Sequence, residues 1–168
     1  MNRFLGFAAL TGFVLAAATH VFALAGVDVA EHFPSVWLLH VGIFVVFVPF
    51  VFSSRKVLGT RPSLADMRAL VPGWVFFAGA AVWLYMMINF ALFAAATQGG
   101  NPAVEAGKYV LKNHGRLIRE LSGAEYEALR ANELRGFSGH WLLFYFVPFA
   151  YFLFAKRPGS SNPSPTSV

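Results

Sequence analysis

The sequence predicts an all-α integral membrane protein. It would be a four-transmembrane-helix bundle with both termini cytoplasmic and a small extracytoplasmic ββα loop between helices 3 and 4. Three observations carry this expectation. Hydrophobic residues make up 57% of the chain and charged residues only 12%, with nineteen Phe, too little charge to cover a water-facing surface. The apolar residues fall in four blocks, each long enough to cross a hydrocarbon core of about 30 Å at about 1.5 Å per residue. The polar residues gather between the blocks, above all in 98–136.

Span one covers about 4–27 and has no charge. Gly12 and Ala16 form a small-xxx-small pair that permits close helix contact. Arg3, the apolar run and Ala23-Leu24-Ala25 also resemble a signal peptide with its cleavage site. The run is longer than the usual ~7–15-residue apolar region, which favours an uncleaved span. A short acidic connector follows, with Asp28, Glu31 and His32. Span two is about 35–52, with Trp37 as an interface anchor and Pro49 as a kink point. It ends at Ser53-Ser54-Arg55-Lys56.

The loop 53–70 sets Arg55, Lys56, Arg61 and Arg68 against Asp66. Ser63 and Asp66 have the spacing of a helix cap, so a short amphipathic helix should lead into span three. Span three is about 71–97, with Pro72 in its first turn and Tyr85 and Asn89 as its notable polar side chains. Gly99 and Gly100 end it.

The segment 98–136 is the one long piece that water could hold. Residues 108–112 and 116–120 flank Asn113-His114-Gly115, which reads as a β-hairpin with Gly115 at a positive-φ position. Ser122 and Glu125 fit a capping box that opens a short helix over 123–134. Span four, about 137–155, begins near His140 and Trp141, contains Pro148 and closes at Lys156-Arg157. Residues 1–157 then form one transmembrane domain. The Pro/Ser-rich stretch 158–168 should be a disordered cytoplasmic tail.

Charge gives the orientation. Arg3, the basic loop and Lys156-Arg157 would share one side, and the positive-inside rule places that side in the cytoplasm. A bacterial inner membrane, with both termini inside, is the expected location. The net charge of +5 is explained by this arrangement, so nucleic acid is not an expected partner. The chain has no Cys, which excludes disulfides, thiolate metal sites and iron–sulfur clusters. Spans two and four share a pattern, Trp37-Leu38-Leu39 before Phe47-Val48-Pro49-Phe50 and Trp141-Leu142-Leu143 before Phe146-Val147-Pro148-Phe149. Unequal spacing keeps this a weak internal repeat.

Each predicted span brings a polar side chain to the extracytoplasmic layer. His20, His40, His140 and Asn89 lie roughly 4–12 Å below the outer helix ends at about 1.5 Å per residue. Polar groups at such depth are costly in lipid and face the bundle interior or a wet cavity. His20 and His40 are candidate axial ligands for haem b, with His140 as the substitute. Three imidazoles from His20, His40, His140 and His32, with a water or Glu31, could instead hold zinc or copper. Against this stands a structural role. His140 beside Trp141 suits interface anchoring, Asn89 suits an interhelical hydrogen bond, and His114 suits a solvated turn.

Two readings of function compete. One is a small redox-type carrier of haem b or a divalent metal. The other is a non-enzymatic accessory or assembly protein whose outer loop docks a membrane-protein partner or a second copy, with the histidines structural. The lipid bilayer is a partner in both. A channel or transporter is disfavoured, because no charged residue lies inside a span. No Ser–His–Asp grouping or Cys nucleophile supports enzyme catalysis.

Overall fold

In the computed structural model, residues 2–156 are described; the tail expected at 158–168 lies outside them. Four helices are long and apolar enough to cross a membrane. Helix α1 (Arg3–Leu24) starts where the Asn2 side chain accepts from the Phe4 N–H at 3.1 Å. A one-turn helix α2 (Val29–His32) and a 3-10 turn (Pro34–Trp37) lead into α3 (Leu38–Leu58). That helix runs past the expected end at 52, continuous through Pro49 and into Ser53–Lys56. Cations in the last turn suit the negative end of the helix dipole, and Gly59 at φ 76° closes it. Ser63 caps α4 (Leu64–Leu70) in a full capping box with Asp66, and α5 (Gly73–Ala96) follows.

The expected ββα loop is corrected in two respects. The sheet has three strands, β1 (Asn101–Glu105), β2 (Lys108–Asn113) and β3 (Arg116–Glu120), in the order β1-β2-β3, all antiparallel. The β2–β3 turn is the one the sequence predicts, with His114 at φ 46° and Gly115 at φ 82°. The β1–β2 turn has the same two-residue form, but on Ala106 and Gly107. Ala at a positive-φ position gives no turn signal, and Pro102 argues against a strand unless it lies at an edge, where β1 does lie.

The second correction concerns the last helix. The short helix and span four are one element, α6 (Gly123–Phe154), 32 residues long. Gly136, between the two expected segments, is helical and buried, and a Cβ there would overlap the Phe93 ring. At about 1.5 Å per residue α6 is about 48 Å long, so its first turns rise beyond a core of about 30 Å. The sheet packs on this projecting part through Leu111, Leu121 and Leu129, with Tyr109 stacked on Tyr126. An ion pair from Arg130 to Asp28 at 3.3 Å ties it to the corner after α1.

Helix α6 is the hub. Buried residues make up 56% of its apolar window, against 33% for α1 and 11% each for α3 and α5. It packs on α1, α3 and α5, while α3 and α5 make no substantial contact with each other. Gly6 lies against Leu153 and His20 against Ser138, so α1 and α6 are antiparallel. The two segments of the weak repeat lie side by side and parallel, with Trp37 edge-on to Trp141 at 5.8 Å and Phe50 edge-on to Tyr151 at 5.3 Å. The core gathers Ala9, Ala16, Ile43, Val46, Leu134, Trp141 and Tyr145.

Candidate functional site

The polar side chains meet at the end of the bundle under the sheet, in two separate groups. The first joins α1, α5 and α6 around His20, which is buried. Ser138 donates its hydroxyl to the Leu134 carbonyl at 2.7 Å, as a helical Ser does one turn back. Its oxygen is then free to accept, and His20 Nδ1 lies 2.8 Å away. That assigns the imidazole proton to Nδ1 and leaves Nε2 to accept from the Tyr85 hydroxyl at 2.6 Å. The result is a one-way chain, Tyr85 to His20 to Ser138 to Leu134.

Asn89 sits beside this chain, buried, and donates to the Arg135 carbonyl at 3.1 Å. Gly139 makes the approach possible. A Cβ at that position would overlap the Asn89 amide and come within 3.4 Å of His20 Cε1. One buried demand is unmet among the described residues: the Nε and Nη2 of Arg135 have no hydrogen-bond partner. These two atoms form the edge of a guanidinium that receives a carboxylate or phosphate in bidentate fashion.

The second group joins α3 and α6. Trp141, fully buried, donates its indole N–H to His40 Nδ1 at 3.0 Å. The His140 Nδ1 lies 3.3 Å from the Gly136 carbonyl and donates to it, since a carbonyl only accepts. The two imidazoles are 5.7 Å apart between centroids and nearly perpendicular, at 87°. Tyr145 completes the layer by donating to the Leu39 carbonyl at 2.6 Å.

This chemistry does not suit the expected cofactor. Metal-bound histidines ordinarily donate their second N–H to an acceptor, leaving a bare nitrogen for the metal. Both ring nitrogens of His20 are engaged within the protein. An indole N–H can only donate, so His40 Nδ1 is the acceptor, and the neutral ring then carries its proton on Nε2. Neither ring presents a free lone pair, and the two belong to different groups rather than facing each other across a slot. Haem b between His20 and His40 therefore does not fit. His140 alone has the donor arrangement of a ligand. Among the described residues no three His, Asp or Glu gather closely enough to hold a metal ion. His32 and Glu31 are exposed on α2, and His114 is exposed at the hairpin turn.

Sequence reasoning found His20, His40, His140, Asn89 and Tyr85 but overlooked their partners. Ser138, Trp141, Tyr145 and Arg135 complete the two groups. The signal for Ser138 and Trp141 was their i, i+3 spacing in the first turns of span four. No family model, no curated protein and no solved structure matches this chain.

Proposed function

We propose that the protein is a non-enzymatic accessory or assembly factor of the membrane, whose sheet-bearing end docks a membrane-protein partner. The observation that carries this reading is the commitment of both His20 nitrogens and of the His40 Nδ1 to bonds between helices. Those bonds tie α1 to α5 and α6, and α3 to α6. The platform above them is continuous with the bundle, because α6 runs unbroken from sheet to membrane. The sheet leaves Val104, Leu117 and Ile118 roughly half exposed, at 59%, 51% and 46%. On the face that carries the ion pairs Lys108–Glu120 and Lys112–Glu105, Leu117 stands opposite Lys112; an exposed apolar side chain among paired charges has the character of a docking surface. The positive-inside rule supports a bacterial inner membrane with the sheet outside.

A photo-crosslinking residue at Leu117, in native membranes, tests this. The expected result is one discrete protein adduct that Lys112→Glu, a change in the cross-strand neighbour of Leu117, abolishes while the bundle stays folded. A lipid-only adduct pattern, or an adduct indifferent to Lys112→Glu, overturns the reading. An adduct with the mass of two chains would identify the partner as a second copy.

A further inference from the structure

At the opposite end the bundle is open. Helices α3 and α5 pack on α6 but not substantially on each other. Between them lies a cavity of about 740 Å³, lined by Phe50, Leu58, Met67, Phe76, Trp83 and Phe146 among others. That volume is in the range of small-ligand sites, roughly 300–1,000 Å³. Its walls are almost wholly apolar, so in a bilayer its natural content is hydrocarbon.

The rim is different in kind. Arg55 and Lys56 lie in the last turn of α3, next to Ser54, which lines the cavity. Arg61 precedes Pro62, and Arg68 follows Met67, both lining residues. The Lys156 backbone N–H donates to the Leu70 carbonyl at 2.8 Å, which brings a fifth cation to α4 and the same rim. Against these five stands only Asp66, whose carboxylate already accepts from the Ser63 N–H at 2.9 Å and hydroxyl at 2.7 Å. Among the described residues none of the five cations has a carboxylate partner. Arg68 lies 5.8 Å from the centre of the exposed Phe77 ring.

We infer that this groove binds one anionic membrane phospholipid, with an acyl chain between α3 and α5 and its phosphate among the rim cations. Charge complementarity selects this occupant. Basic pockets between membrane helices take anionic headgroups, and an apolar helix from a second copy would leave five cations unanswered. The inference is independent of the docking role proposed for the sheet.

Native mass spectrometry of the full chain released from nanodiscs of equal phosphatidylglycerol and phosphatidylcholine tests it. The expected result is one retained phosphatidylglycerol per chain, favoured about tenfold over phosphatidylcholine. Combined Arg55→Gln, Lys56→Gln, Arg61→Gln and Arg68→Gln should abolish that preference. Ala80→Trp, which fills the groove, should abolish retention, and Ser54→Phe serves the same purpose should the first variant fail to fold. Equal retention of both lipids overturns the inference. So does a preference that survives the charge substitutions, or retention that survives groove filling. The chain has no Cys, so a disulfide dimer formed in membranes by Ala80→Cys would show a second copy in the groove and likewise overturn it.

Discussion

The two ends of the bundle are built from similar helices and held in opposite ways. Under the sheet, α1, α3 and α5 are each bonded to α6 by a side chain: His20 to Ser138, Trp141 to His40, and Asn89 to the Arg135 carbonyl. At the basic end α3 and α5 stand apart around an apolar groove. The contrast follows from the solvent. Lipid tails are as apolar as Leu, so apolar faces gain little by meeting in a membrane, and helices are fixed by close packing and hydrogen bonds instead. The end that has these is closed, and the end that lacks them is left for lipid.

The largest expected effect breaks the closed end. Trp141 is fully buried between α3 and α6, touching Trp37 and His40. Trp141→Ala should cost about 3–5 kcal/mol, from the cavity and the lost contacts. The counterpart at the open end is Val147→Ala, on the groove wall, which should cost less than about 1 kcal/mol because lipid can follow the surface. Unfolding titrations with denaturing detergent in mixed micelles measure both. Equal losses at the two ends would remove the distinction between them.

A second effect should run the other way. The Arg135 Nε and Nη2 are buried without partners. An unpaired buried polar group costs about 1–3 kcal/mol, and more when charged. Arg135→Met should therefore stabilise the isolated protein by about 1–3 kcal/mol. A gain would mark Arg135 as a residue kept for something other than stability, consistent with a partner acting at this end. Loss of stability in the same titration would show that its guanidinium is already satisfied in the folded protein.

A smaller effect sharpens the His20 chain. Hydrogen bonds between membrane helices couple by about 0.6 kcal/mol on average and up to about 1.7. A double-mutant cycle on His20→Ala and Tyr85→Phe should give a coupling in the upper part of that range, given the 2.6 Å contact. The cycle of His40→Ala with Tyr85→Phe should give none, because His40 belongs to the other group. Coupling between His40 and Tyr85 would mean that the two groups act as one site.

The four helices were legible because each is an unbroken apolar run, and the capping boxes at Ser63 and Ser122 because their spacing is local. That His20, His40 and Asn89 lie toward the sheet-bearing ends of their helices also followed from counting along each helix. Which of them would meet did not. Rotation about a helix axis is set by packing, and all four spans are apolar on every side, so none shows a distinct inner face. The hub role of α6 was hidden for that reason, and because the short helix over 123–134 and span four read as separate elements in the sequence; Gly136 between them is where Phe93 packs. β1 escaped notice because Ala106 gives its turn no signature. The cofactor expectation rested on counting imidazoles, and counting does not show the partners Ser138, Tyr85 and Trp141, which come from other helices and engage both His20 nitrogens and the His40 Nδ1.

The smallest predicted effect compares the two capped helix starts, one at each end. At the open end, the Ser63 hydroxyl and backbone N–H hold the Asp66 carboxyl below the usual carboxylate range. A depressed folded value means that the ionised form is favoured in the capped helix. The box therefore supports α4 at pH above the ordinary Asp value, and that support is lost as pH falls through the folded value. Acidification should speed amide exchange in the first turn of α4, read by hydrogen-exchange mass spectrometry. Asp66→Asn should show the faster exchange already at neutral pH and respond little to acid. At the closed end, Ser122→Ala should loosen only the first turn of α6, because Leu121 and Leu129 still pack beneath the sheet. α4 has no such cover, with Leu64 72% exposed, so Ser63→Ala should loosen the whole of α4 and with it part of the cationic rim. Equal, local fraying at both sites would mean that α4 is held by the groove rather than by its cap.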